Sequence, residues 1–355
     1  MREKQVSDSS EHGSRPPIVR LSVCDLHPPQ EGQGLRLAVY QGQSQVGDRQ
    51  AIDHNLENLR MWAASAAKYE AQLLVLPELF LCGYNVNPGD VPDVVMSRDE
   101  AVQMVGPIAK RNKIAIVCPY AEAADVNGES RHFDAMVLVD RDGTLLRNYR
   151  KSHLWGNDEK KNWWFAYVDD PQDAFRVDKV NGINVGLLNC YEAELPELSR
   201  ILALNGAQVI VIPTAADVGT LEANGQWSSW AYPDVSRTAI PGNAYQNKVF
   251  VAYSNHALYE YRSDGRTLTA IYLGNSAIAD PYGQLLVAAD NVETLLVADC
   301  VPARYQPTHP DGESDYIKDR RPPLYGQLVS MEATLPDGST YKYPKNPNEG
   351  WHPAD

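Results

Sequence analysis

Apolar and polar positions change period repeatedly along this chain, and each change marks an element. Leu35–Tyr40 is rich in β-favouring residues and reads as a strand. Leu56, Leu59, Ala63 and Ala66 recur at helical spacing, which predicts a helix from an Asp53 cap to about Glu70. Gln72–Leu76 reads as a short buried strand stopped by Pro77. Asp99–Arg111 reads as a second helix and Ile114–Cys118 as a strand stopped by Pro119. Ala135–Asp140 and Thr144–Tyr149 flank Arg141-Asp142-Gly143, a hairpin signal, because Asp-Gly supplies the positive φ that a tight turn needs.

The second half repeats the rhythm. Phe175–Val180 and Ile183–Asn189 read as strands joined at Asn181-Gly182. A helix over Leu195–Asn205 stops at Gly206, and a strand over Gln208–Ile212 stops at Pro213. Val235–Gln246 reads as helical with interruptions at Pro241 and Gly242, and strands follow at Val249–Asn255, Ser276–Asp280, Gln284–Val287 and Thr294–Asp299. Strands and helices alternating among hairpins predict an α/β layered body with mixed sheets.

No linker interrupts residues 35–304, so this stretch is read as one domain. Residues 1–34 form an N-terminal extension: a polar, Pro-containing tail over Met1–Pro17, a short docking strand within Ile18–Cys24, and a linker over Pro28–Gly34. Residues 305–355 are rich in proline and poor in apolar runs, and are expected to wrap over the body or a partner subunit.

Composition excludes several function classes. The 355 residues carry 32 basic and 46 acidic side chains, a formal net charge of −14. That balance argues against nucleic-acid binding and against docking on an anionic membrane, since both need a basic footprint. No apolar run approaches the roughly 20 residues of a membrane-spanning helix, and the polar start lacks an apolar signal core. A cytoplasmic, reducing location is expected. The five cysteines (Cys24, Cys82, Cys118, Cys190 and Cys300) are odd in number, scattered, and free of C-x-x-C spacing. A disulfide framework or zinc site does not suit that pattern, and neither a metal nor another cofactor is expected. The open question is whether one thiol is a nucleophile.

Four features at strand ends bear on it. Glu78 follows four apolar residues and Pro77, a setting that half-buries a carboxylate and tunes it for proton transfer. Lys151 closes the first hairpin, with Glu159 eight residues later; if both face one cavity, the ammonium is held charged and can stabilise an oxyanion. Cys190 lies between a buried strand and a helix, on a sharp turn that presents it, with the Tyr191 backbone N–H placed as a second oxyanion donor. Cys118 and Cys300, at the ends of apolar runs, suit the ordinary core thiol, and Cys82 suits a pocket wall. Five of the seven tryptophans fall in two loops: Trp155, Trp163 and Trp164 after Lys151, and Trp227 and Trp230 after Thr214. They either pack the loops down or line an apolar pocket.

The set Pro77-Glu78, Arg150-Lys151-x-His153-Leu154, Glu159 and Cys190-Tyr191-Glu192-x-x-x-Pro196-Glu197 resembles the carbon–nitrogen hydrolase (nitrilase) superfamily over roughly Leu35 to Arg321. The resemblance implies a four-layer α-β-β-α sandwich, flanked here by the two extensions. It implies Cys190 as nucleophile, Glu78 as general base and acid, Lys151 as oxyanion stabiliser and Glu159 as the second glutamate. Tyr84, Trp155, Trp164, Glu192, Thr214 and Ala215 are expected to contact substrate. The residues after Cys190 are more similar to amidase and carbamoylase branches than to true nitrilases. Asn243 and Gln246 depart from the Arg and Glu of the family pattern, which puts a local ion pair in doubt.

The expected activity is cofactor-free hydrolysis of a small carboxamide through a Cys190 thioester. A nitrilase or nitrile hydratase on the same residues, an N-carbamoyl amidohydrolase, and a catalytically silent binding or assembly protein are the alternatives. A small-molecule amide or nitrile is the expected partner, together with further copies of the chain in a homodimer or larger homo-oligomer.

Overall fold

In a computed structural model, residues 18–306, 308–309 and 312–349 are described. The expectation of a tail over Met1–Pro17 falls outside them.

Two sheets lie face to face. The first has seven strands in the order Ile18–Ser22, Thr294–Cys300, Leu35–Gln41, Leu73–Val75, Ala115–Val126, Glu129–Val139, Leu145–Arg150. The second has six: Leu285–Ala288, Ala277–Ala279, Phe250–Asn255, Val209–Thr214, Ile183–Leu187, Val177–Val180. Alternation along each strand sends one set of side chains to the space between the sheets and the other outward. Leu35, Leu37, Val39, Val75 and Val117 thus meet Val185, Leu187, Val209, Val211 and Phe250 in a core between the sheets. The outward set of the first sheet, with Ala38, Leu74 and Ile116, is covered by the helices Arg49–Lys68 and Arg98–Asn112. The outward set of the second sheet, with Ile210, Ile212 and Val251, is covered by the helices Pro196–Leu204 and Ala239–Asn247. The layers therefore run α-β-β-α, as the resemblance implied.

Three local expectations change. The first helix begins at Arg49, capped by Asp48, whose carboxylate accepts from Ala51 N at 2.8 Å; Asp53 lies inside the helix. Ala51 and Ile52 extend the buried face by a turn, so the earlier acid becomes the cap. Pro119 does not stop its strand, which runs on to Val126. Its carbonyl accepts from Leu81 N, so its ring nitrogen faces the same side, beyond the last paired residue of Leu73–Val75, and no ladder bond is lost. Pro213 escapes likewise: it lies past the end of the pairing with Ile183–Leu187, and its strand continues to Thr214.

The third change is a five-stranded sheet absent from the sequence reading: Trp227–Ser229, Asp217–Leu221, Leu268–Tyr272, Tyr259–Arg262, Gln45–Val46. Ile18–Ser22 adds a parallel edge strand to the first sheet beside Thr294–Cys300. Beyond Arg304 the chain carries an exposed hairpin, Glu332–Thr334 with Thr340–Lys342, and touches the body through Tyr316–Tyr245 and Asn348–Phe165 hydrogen bonds.

Candidate active site

Lys151 leaves the strand Leu145–Arg150, and its N–H is fixed by the Asp134 carbonyl across the hairpin at 2.8 Å. Its side chain is fully buried. Nζ donates to Glu78 Oε1 at 2.5 Å and to Glu159 Oε1 at 2.7 Å, and lies 3.6 Å from Asp134 Oδ2. Burial works against the ammonium, but Glu159, Glu78, Cys190 and Asp134 outweigh it and hold its pKa well above the usual value. Glu78, Asp134 and Glu159 offer oxygens within 4.8 Å of one another, a spacing that a cation requires. The Lys151 ammonium takes that central position.

Each carboxylate is held by a different element. Glu78 follows the strand Leu73–Val75; its N–H donates to the Thr214 carbonyl at 3.2 Å, and the Glu78 carbonyl accepts from His256 Nε2 at 2.7 Å. Burial pushes the His256 pKa down, which keeps the ring neutral. Glu159 sits in the short helix Asp158–Asn162, accepting from Tyr84 OH at 2.8 Å and from Trp155 N at 2.7 Å. Tyr84 is itself placed by Glu260, which accepts from the Tyr84 and Asn85 amides at 2.7 and 3.0 Å.

Asp134 was not picked out by the sequence reading. Its Oδ1 accepts from Asn189 Nδ2 at 2.9 Å, which ties the strand paired with the lysine's, Glu129–Val139, to the residue before Cys190. Burial, then the Glu78 charge, hold its pKa well above the carboxylate range. Burial also raises Glu159, against the pull of Lys151. Burial and the neighbouring negative charge thus favour the protonated form of Asp134. Glu78 Oε2 and Asp134 Oδ2 are both buried acceptors without a donor among the described residues, and a proton on Asp134 supplies one. The consequence for stability has a definite sign. The folded state binds this proton more tightly than the unfolded chain, so Asp134 costs stability as pH rises from the ordinary carboxylate range through its raised pKa. Asp134→Asn should therefore unfold at a higher temperature than the native chain at pH 8, with the gain vanishing near pH 4; melting curves across that range test it.

Cys190 joins the strand Ile183–Leu187 to a 3₁₀ turn over Cys190–Glu194, with φ of +51°. A left-handed, β-substituted residue is strained, and here the strain presents the thiol at a strand end. Burial and Glu78 push the thiol pKa well up, while Lys151 and the Ala215 N–H pull it down. The Tyr191 N–H, at the start of the turn, has no partner among the described residues.

Two substrate-contact expectations give way. Glu192 is fully buried. Its Oε1 accepts from Ser152 N at 2.7 Å, His153 N at 3.2 Å and the Ser152 hydroxyl; its Oε2 accepts from Tyr149 OH at 2.6 Å and Asn189 N at 2.7 Å. Those donors occupy the carboxylate, so it clamps the Lys151 loop to the Cys190 loop. Replacing it by Gln sets an amide N–H₂ against at least two donors. A loss of about 1–3 kcal/mol follows, readable as a lower denaturant midpoint. Trp164 turns away from the cleft and stacks under Arg131, whose guanidinium lies 4.6 Å from the ring centre. Trp163 lines the cleft instead, with Tyr84, Trp155 and Trp230. Thr214 and Ala215 serve through their backbone, toward Glu78 and Cys190.

Other residues resolve more simply. Cys82 is no pocket wall: it is buried in the core, its thiol donating to Leu79 O and Gly83 O. Cys118 and Cys300 are core thiols. Asn243, in place of the family's Arg, donates to the Ala193 carbonyl at 2.8 Å and so holds the turn after Cys190.

Comparison with known proteins identifies the family. Residues 36–310 match the family model described as carbon-nitrogen hydrolase. A "hydrolase in pqqF 5'region" of Pseudomonas protegens is 33% identical over 83% of this chain and 92% of its own length. An (R)-stereoselective amidase of a Pseudomonas species is 31% identical over 76% of this chain and 85% of its own. Among solved structures, a mutant amidase from Nesterenkonia, its active-site cysteine carrying an acrylamide Michael adduct, superposes with a TM-score of 0.64. It is 27% identical, with 83% of this chain and all of that chain covered.

Proposed function

This chain belongs to the carbon–nitrogen hydrolase family, a family of hydrolases acting on non-peptide C–N bonds, and on that premise we propose that it is a cysteine-dependent amidase in which Cys190, Glu78 and Lys151 perform the chemistry. The observation that carries the reading is the buried Lys151 ammonium held between Glu78 and Glu159, in electrostatic contact with a thiol on a left-handed turn.

The steps follow from the donors and acceptors. Glu78 accepts the thiol proton on Oε2, which has no other donor than Asp134. The thiolate attacks the amide carbon, and the C=O π electrons move to oxygen. Lys151 Nζ and the Tyr191 N–H receive that oxyanion, each donor typically worth roughly 2.7–4 kcal/mol. Glu78 returns the proton to the departing nitrogen as the C–N bond breaks, leaving a thioester and ammonia. A water then loses one proton to Glu78 and attacks the thioester; the C–S bond breaks as Glu78 returns that proton to the sulfur, and the acid product leaves, giving its remaining proton to ammonia or solvent. Glu159 fixes the Lys151 ammonium and, through Tyr84, the wall of the cleft.

We further propose that residues 35–304 are the catalytic domain, with 1–34 and 305–355 as extensions. No helix among the described residues is long and apolar enough to cross a membrane, and a cytoplasmic location fits the free thiols. A homodimer or larger assembly is supported by Leu324, Leu328, Val329 and Met331, which the C-terminal extension leaves exposed. Alkylation with iodoacetamide, followed by peptide mapping, tests the amidase reading. Ammonia release from a panel of amides should fall in step with Cys190 modification, and release that survives full modification of Cys190 overturns it.

A further inference from the structure

Beside Glu159 a cleft opens between the loop after Lys151 and the five-stranded sheet. Some of its polar groups are unanswered. Asp217, at the start of its strand, is 4% exposed; its carboxyl is met by its own backbone N–H but by no cation among the described residues. Asn162 donates its Nδ2 to the Val86 carbonyl, leaving Oδ1 buried without a donor. Trp230 Nε1 is buried without an acceptor. Buried polar groups are almost always paired, so two unpaired ones beside a buried acid without a counter-charge mark a place that a ligand fills.

The character of the walls selects that ligand. Trp155 and Trp230 face each other with ring centres 6.1 Å apart, and Trp163 and Tyr84 complete the walls. Three acids line the cleft, Asp158, Glu159 and Asp217, and no basic side chain does. Asp158 is met by Lys161 at 2.6 Å, and Glu159 by Lys151. Asp217 alone has no counter-charge, and its charged neighbours Glu260, Glu78 and Glu159 all repel an anion. Aromatic faces attract cations through their quadrupole, and a desolvated carboxylate does so more strongly.

We infer that the substrate is an amide whose far end carries a positively charged nitrogen, bound by Asp217 and Asn162 Oδ1 between the aromatic walls. This rests on the amidase reading for the reacting end and on the cleft alone for the charged end. A carboxylate tail meets only repulsion here, and a purely apolar tail leaves Asp217 buried without a counter-charge. Burial holds the Asp217 pKa well above the carboxylate range, so an arriving cation also releases its proton.

The test uses linear carboxamides of three to five methylenes in three forms, ending in ammonium, methyl or carboxylate. Binding to the full-length Cys190→Ala chain is read by tryptophan fluorescence, and hydrolysis by the native chain is read as ammonia. The ammonium form should bind about tenfold or more tightly than the methyl form, and the carboxylate form more weakly still. Asp217→Asn should cut the ammonium-to-methyl ratio by about tenfold, whatever it does to both. Equal binding of the three forms, preference for methyl or carboxylate, or a ratio unmoved in Asp217→Asn overturns the inference. The two readings fail separately. Hydrolysis without charge preference keeps the amidase and removes the cation site. Charge-selective binding without ammonia keeps the cation site and removes the amidase. Neither binding nor hydrolysis removes both.

Discussion

Cys190→Ala should release no ammonia above background, a loss of at least about 10⁴-fold in kcat, while melting within a few degrees of the native chain. Cys190 is 8% exposed as a residue, and its replacement takes away one sulfur atom at the edge of the second sheet, so the fold loses little. The chemistry loses its only step toward a covalent intermediate. Cys190→Ser is the sharper form. A hydroxyl keeps the geometry, but its pKa is far higher, and a base already surrounded by two carboxyl groups has little driving force to ionise it. Single-turnover assays with mass detection of the acyl-enzyme would read both. Turnover by Cys190→Ala within tenfold of native would remove the thioester mechanism.

Lys151→Met should be the most damaging change to fold and activity together. Methionine fills a similar volume but leaves Glu78, Asp134 and Glu159 within 4.8 Å of one another without a cation. Removing one partner of a buried charge set costs about 3–5 kcal/mol, because the remaining charges stay desolvated. Asp134 and Glu159, already raised by burial and now without the lysine's pull, respond by holding protons, so the destabilisation relative to native is larger at pH 8 than at pH 5. The oxyanion also loses its cationic donor, and kcat should fall by at least about 10³-fold in whatever fraction folds. Denaturant titrations at the two pH values, beside ammonia release, check both parts. A variant equally stable at both pH values would show that the carboxylates do not depend on the lysine.

These expectations draw unequally on the sequence. Glu78, Lys151 and Cys190 were legible because each sits at a strand end, where a rigid element hands its side chain to a pocket, and Glu159 because it follows Lys151 at the spacing of the motif it resembles. Asp134 was not. It lies inside the strand Glu129–Val139, where a polar residue reads as an outward-facing member of the alternation. Only the pairing Ala135↔Arg150 carries it next to Lys151. Asp217 was missed for a related reason: its sheet is built of short strands from three distant segments, so no local period announces it. Glu192 misled in the opposite direction. Proximity to Cys190 in the chain suggests the pocket, yet the 3₁₀ turn rotates its carboxylate back onto the Ser152 and Asn189 amides. Trp163 and Trp164 are adjacent, and the extended backbone at Trp163 sends their rings to opposite sides.

By itself, the sequence determined what local physics can carry. Apolar periodicity specified most strands and helices of the two main layers, and the Cys190, Glu78 and Lys151 motifs specified a thiol, a carboxylate and an ammonium at strand ends. Tertiary structure alone decided how many carboxyl groups share the Lys151 charge and which of them keeps a proton. It also decided which aromatic rings face the cleft and where Asp217, with no counter-charge among the described residues, sits in its wall. The division has one cause. A strand or helix is set by neighbours a few residues away, whereas protonation and recognition depend on charges that only folding brings within a few ångströms of one another.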